Sequence, residues 1–146
     1  MTRGPTASLL SILILDDDER WQRILSTMAS RFAYRAVAVR DLLSFRKAYI
    51  DRNPDVVCLD VQLFRGDCSE ALDFLIETGC EIPVILLTGY TTGFMDVLAN
   101  TYRGQGLDIE AKLNKQRDLR KFESMLEAKA LANAQPTGQV VQTVDI

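Results

Sequence analysis

Short apolar runs recur along the chain, and each is followed by a stretch in which apolar residues return at helical spacing. Residues 9–15 form the first run, closed by Asp16, Asp17 and Asp18. Trp21, Ile24, Leu25, Met28 and Phe32 then fall on one face of a helix and read as its core side. Residues 34–39 alternate weakly as a second strand, and 41–50 read as a second helix. Asn53-Pro54 punctuates the chain before a β-branched run at 56–59. The spacing over 69–78 predicts a third helix stopped by Gly79, a residue free to take the left-handed conformation beyond a helix end. Pro83 introduces the run 84–87. A fourth helix is predicted over 91–102, with Phe94, Met95, Val97 and Leu98 as its apolar set. Residues 109–113 form a weaker strand broken by charge. Leu119, Phe122, Leu126 and Ala130 mark a last helix, ended by Pro136 and Gly138.

Strands alternating with helices imply an α/β fold, a parallel sheet covered on both faces. Right-handed crossovers make it doubly wound, with five strands. The 146 residues suit one domain, expected over 9–134. Residues 1–8 are expected to be a flexible N-terminus, and 135–146 a flexible tail or the start of a linker. Apolar residues make up 47% of the chain and charged residues 25%, an ordinary globular mixture. The net charge of −3 argues against direct nucleic-acid binding, which calls for a basic patch. No apolar run is long enough to span a bilayer, and the first residues lack the layout of a secretory signal. Three cysteines, an odd number without paired spacing, read as reduced thiols of a cytoplasmic protein. The complete lack of histidine removes imidazole-based triads and histidine metal sites.

In a doubly wound sheet the working site lies beyond the carboxyl ends of the strands. Asp16 and Asp17 follow the first run, Asp60 ends the third, Thr88 and Gly89 follow the fourth, and Lys115 follows the fifth. Alone, each has a plain structural reading. The acids at 16–19 could cap a helix, Asp60 could be a loop residue, and Lys115 could be a solvated charge. Together they form a coherent set for phosphate chemistry. Three gathered carboxylates raise one another's pKa, and a divalent cation relieves them. Mg²⁺ takes such hard oxygen ligands along with water. Lys115 supplies a second positive charge, Thr88 a hydroxyl, and Asp60 a carboxylate nucleophile able to form an aspartyl phosphate.

The segments ILILDDDERW, PDVVCLD, PVILLTGY and AKLNKQRDL resemble the four signature segments of response-regulator receiver domains, the phosphoacceptor modules of two-component signalling in bacteria. The resemblance runs over roughly 11–131, and the spacing fits: 43 residues from Asp17 to Asp60 and 28 from Asp60 to Thr88. It implies a flavodoxin-like sheet of order 2-1-3-4-5. It also implies Mg²⁺ held by Asp16, Asp17, Asp60 and the main-chain carbonyl of Gln62, with Asp60 as phosphoacceptor, Thr88 as switch hydroxyl and Lys115 as phosphate-binding lysine. The Gln62 side chain and Tyr90 occupy the places that tune dephosphorylation. The implied partners are a histidine kinase or phosphotransfer protein, an output domain or effector, and a second copy docked through the fourth helix, fifth strand and fifth helix. Activity beyond weak self-catalysed phosphorylation and dephosphorylation is not implied.

The chain departs from the pattern in several places. Gln116 stands where a proline usually follows the lysine, Phe64 and Cys68 stand in a loop that usually holds proline and glycine, and Lys112 occupies the aromatic switch position. The stretch from Thr88 to Lys115 is also elongated. Two other readings stay open: a degenerate receiver acting as a phosphorylation-independent binding module, and a haloacid-dehalogenase-type phosphatase using Asp16 as nucleophile and Asp18 as acid–base.

Overall fold

The computed structural model describes residues 9–63, 66–89 and 93–134. The expectations for 1–8, for the tail from 135, for Tyr90 and for the first two residues of the fourth helix lie outside these. Five parallel strands make one sheet: β1 (Ser11–Leu15), β2 (Arg35–Val39), β3 (Val56–Asp60), β6 (Val84–Thr88) and β7 (Ile109–Asn114), in the order β2-β1-β3-β6-β7. The two-residue strands β4 (Gln62–Leu63) and β5 (Gly66–Asp67) form a separate antiparallel ribbon. With the ribbon set aside, the order is the expected 2-1-3-4-5.

Alternation along the strands explains why they read as unbroken apolar runs. Leu13, Leu15, Val57, Leu59, Val84 and Leu86 point to one face, while Ile12, Ile14, Val56, Cys58, Ile85 and Leu87 point to the other. Both faces of these three central strands, β1, β3 and β6, are buried, so apolar residues follow one another along them. The first face is covered by α2 (Leu42–Arg52), α3 (Ser69–Glu77) and α4 (Gly93–Gly104), through residues such as Phe45, Leu72, Leu75 and Leu98. The second is covered by α1 (Glu19–Arg31) and α5 (Leu119–Ala134), through Leu25, Met28, Phe122 and Leu126.

Local chemistry sets the helix ends. The Asp41 carboxylate accepts from the Ser44 N–H at 2.8 Å and starts α2. Cys68 at the N-cap of α3 offers no side-chain bond. Asp67, one residue earlier, accepts from the Ser69 N–H at 2.7 Å instead. Gly79 follows α3 at φ +70°, where a Cβ would be strained.

Two expectations shift. The inward stripe of α4 is Met95, Leu98, Ala99 and Tyr102, spaced i, i+3, i+4, i+7. Phe94 and Val97, expected inside, are 43% and 60% exposed, because they fall on the far side of that stripe. The charge that weakens β7 has a cause as well. The β6–β7 register slips between Val84 and Ile85, so Glu110 is an extra residue, and it pairs with Lys129 of α5 at 2.6 Å.

The Tyr34 hydroxyl donates to the Leu126 carbonyl at 2.9 Å and ties the start of β2 to α5. Tyr34→Phe keeps the ring's packing and loses that bond. It is expected to lower the unfolding free energy by about 0.5–1.5 kcal/mol in urea titration, with an unchanged denaturant slope.

Candidate functional site

The carboxyl edge of the sheet gathers the residues singled out by the sequence. Asp16 follows β1, Asp60 ends β3, Thr88 ends β6 and Lys115 follows β7. Backbone bonds carry the strand pairing past these ends. The Asp16 N–H donates to the Val39 carbonyl, that of Val61 to Leu87, and that of Lys115 to Thr88 at 2.7 Å. All four residues are buried, Asp16 completely.

The Lys115 ammonium sits 2.6 Å from Asp16 Oδ2 and 3.3 Å from Asp60 Oδ2. The closer contact lies off the hydrogen-bond axis. Asp16 Oδ2 therefore accepts no directed hydrogen bond and is held by charge alone. Asp16 Oδ1 accepts from the Asp18 N–H at 2.9 Å, and Asp60 Oδ1 from the Gln62 N–H at 3.3 Å. Asp16, Asp17 and Asp60 each offer a carboxylate oxygen within 4.8 Å of the others. Burial pushes the Asp60 carboxyl up to about 7; Lys115 pulls against the rise and the Asp16 charge adds to it. One ammonium does not offset three crowded carboxylates. A buried oxygen without a directed donor and an all-oxygen ligand set suit a small hard cation such as Mg²⁺.

Asp18 has a different task. Its Oδ1 accepts from the Arg20 and Trp21 N–H groups at 2.8 and 3.4 Å, which caps α1. It is not among the three acids whose carboxylate oxygens gather, and its Oδ1 is committed to the helix cap. Next to Asp17 opens a cleft of about 890 Å³, walled in part by Asp18, Arg40, Asp41, Gln62 and Leu63. Gln62 thus touches the site through its N–H and borders the opening with its exposed side chain.

The sequence reading missed how Lys115 is held. Asn114 Oδ1 accepts from the N–H groups of Gln116 and Arg117 at 2.8 and 2.9 Å. The Asn114 N–H donates to Asp118 Oδ2 at 2.9 Å. Hydrogen bonds from Arg117 and from that N–H hold the Asp118 carboxyl down at about 2. The turn is therefore closed by side chains, and it needs the N–H of residue 116, which a proline would remove. An asparagine followed four residues later by aspartate just before a helix is the signal that could have been read. At the other departure, Lys112 pairs with Asp96 of α4 at 2.7 Å.

No family model matches the chain. In sequence it is similar to the regulatory protein VirG of Agrobacterium fabrum, 28% identical over 81 residues that cover 56% of this chain and 32% of that protein. It is also similar to the regulatory protein AtoC of Escherichia coli, 30% identical over 79 residues covering 54% and 17%. The match therefore spans less than a third of VirG and less than a fifth of AtoC. The structural neighbours are response-regulator receiver domains. A CheY-like receiver from Methanospirillum hungatei superposes with a TM-score of 0.72 at 17% identity, over 86% of this chain and 97% of that one. The HemR receiver domain of Leptospira biflexa gives 0.68 at 18%, over 87% and 98%. The beryllofluoride-activated NtrC4 receiver domain dimer gives 0.68 at 22%, over 84% and 98%. The chain has the doubly wound fold of receiver domains, with an acidic cluster at the carboxyl edge of its sheet.

Asn114→Ala removes two acceptor contacts from the turn that carries Lys115. It is expected to lower the unfolding free energy by about 1–2 kcal/mol, read by chemical denaturation.

Proposed function

We propose that this domain is a phosphoacceptor receiver, taking a phosphoryl group on Asp60 from a histidine kinase or phosphotransfer protein. The observation that carries the reading is the Lys115 ammonium lodged between Asp16 and Asp60 at 2.6 and 3.3 Å, in a group that Asp17 joins. Asp16, Asp17, Asp60 and the Gln62 main-chain carbonyl would hold Mg²⁺. When bound, the ion neutralises the carboxylates and the incoming phosphoryl oxygens.

The chain's own residues do the rest by position and charge. An Asp60 carboxylate oxygen forms the new bond to phosphorus while the donor's bond to phosphorus breaks and the donor leaves with that electron pair. Lys115 moves from carboxylate to phosphoryl oxygen, and Thr88 offers its hydroxyl to the same group. The phosphoryl oxygens of the product carry roughly −1.5 to −2 charge at the strand end, in place of the single carboxylate charge that Asp60 gives up in the new bond. Thr88 and Lys115 follow that charge and shift the face formed by α4 and β7. That face, with α5, is the surface for a second copy, and the signal passes to an output domain or effector. The buried, unpaired cysteines agree with a cytoplasmic setting, and among the described residues no helix is long and apolar enough to cross a membrane.

Incubation with acetyl phosphate and Mg²⁺, read by intact mass, is expected to add one phosphoryl group to the wild type and none to Asp60→Asn. No adduct on the wild type, or an equal adduct on the variant, rejects the proposal. Mg²⁺ at a hundred times its dissociation constant is expected to stabilise the fold by about 2.7 kcal/mol. Thermal melts should show most of this gain lost in Asp17→Asn.

A further inference from the structure

Lys115 has a third neighbour besides its two carboxylates. The ammonium lies 5.1 Å from the ring centroid of Trp21, within the range of a cation over an aromatic face. Trp21 stands in the first turn of α1, half-buried and packed against the core beneath that helix. Two bonds fix this turn over the site. The Trp21 N–H bonds the Asp18 cap, and Gln22 Nε2 donates to the main-chain carbonyl of Asp16 at 2.7 Å. The indole therefore rides on a turn anchored to the same residue that pairs with Lys115.

A lysine side chain has four rotatable bonds, and burial alone does not choose among its rotamers. The carboxylates attract the ammonium but do not limit its approach on the side away from them. An indole face 5.1 Å from the ammonium adds such a limit without offering a hydrogen bond that would hold the ammonium back when a phosphoryl group arrives. We infer that Trp21 is a positioning residue for Lys115, setting the place from which the ammonium reaches the phosphoryl group on Asp60. The inference rests on the phosphoacceptor reading of Asp60.

The test compares wild type, Trp21→Phe and Trp21→Leu. Phosphorylation by acetyl phosphate is followed at saturating Mg²⁺, and the Mg²⁺ dissociation constant is measured separately. In Trp21→Leu the maximal rate is expected to fall about tenfold with the Mg²⁺ dissociation constant unchanged, because the metal-binding acids are untouched. Trp21→Phe, which keeps an aromatic face, is expected to recover most of the rate. A Trp21→Leu rate equal to wild type overturns the inference. So does Mg²⁺ binding weakened in step with the rate, which would mean a general loss of site structure. A Phe variant as slow as the Leu variant overturns it too.

Trp21 is the sole tryptophan, so its emission supplies a readout that needs no phosphoryl donor. Lys115→Met is expected to change that emission in the unliganded protein, and unchanged emission overturns the contact itself. Wild type that takes up no phosphate would sink the phosphoacceptor reading, while the emission result would still decide whether Trp21 holds Lys115.

Discussion

A buried ammonium lodged between two buried carboxylates is the constraint around which this molecule is arranged. Taking such charges out of water costs several kcal/mol per ion unless geometry lets them find one another. Here the partners come from three strands that are far apart in sequence. Asp16 and Asp60 end the adjacent strands β1 and β3, while Lys115 follows β7, two strands beyond β3. Neighbouring strands lie about 4.8 Å apart, so roughly 10 Å of sheet separates β3 from β7. A long side chain is required, and it must pass the end of β6, where the small Thr88 stands. Strand order, strand length and residue size all have to agree for one contact to form.

The scaffold achieves that agreement with little special chemistry. Because both faces of the three central strands are buried, a slip of one residue in any of them would exchange the side chains packed into the two cores. The strand ends then arrive level without dedicated contacts. The polar bonds concentrate at the carboxyl edge, where Asp16 accepts from Asp18, Asp60 from Gln62, and Asn114 from two amides of its own turn. At the opposite edge an exposed Asp55 carboxylate accepts from the Ser11 N–H. The division matches a sheet whose core provides stability and whose one edge provides chemistry.

This division also explains what could be read from the chain. Strands buried on both faces give unbroken apolar runs, so β1, β3 and β6 were legible, and with them the strand-end positions of Asp16, Asp60 and Thr88. The face of α4 was not, because Phe94 and Val97 are apolar yet exposed, while the inward stripe includes the small Ala99 and the amphipathic Tyr102. Asp18 was legible as a cap and as a catalytic acid alike, and only its bonds to Arg20 and Trp21 separate the two. The contact of Trp21 with Lys115 depends on the rotation of α1 against a residue 94 positions away, which no local pattern encodes.

The two departures from the receiver pattern near β7 have different physical weight. At 116 the loss of proline is compensated, since Asn114 uses the freed N–H to close the same turn. At 112 the replacement is weaker. Lys112 and Asp96 are 30% and 60% exposed, and an ion pair so open to water contributes about 1 kcal/mol at most. The far end of α4 is tied more firmly, with the Arg103 guanidinium donating twice to the Ile109 carbonyl at 3.0 and 2.7 Å and the Tyr102 hydroxyl to Asp73 at 2.6 Å. Phe94 and Val97 add little burial at the near end. Among the described residues, the end of α4 is thus held by three hydrogen bonds, and its first half by the burial of Met95 and Leu98 and the open Lys112–Asp96 pair. The exposed apolar residues Phe94 and Val97 lie in that first half, on the strand-end side of the helix's firmer hydrogen bonds.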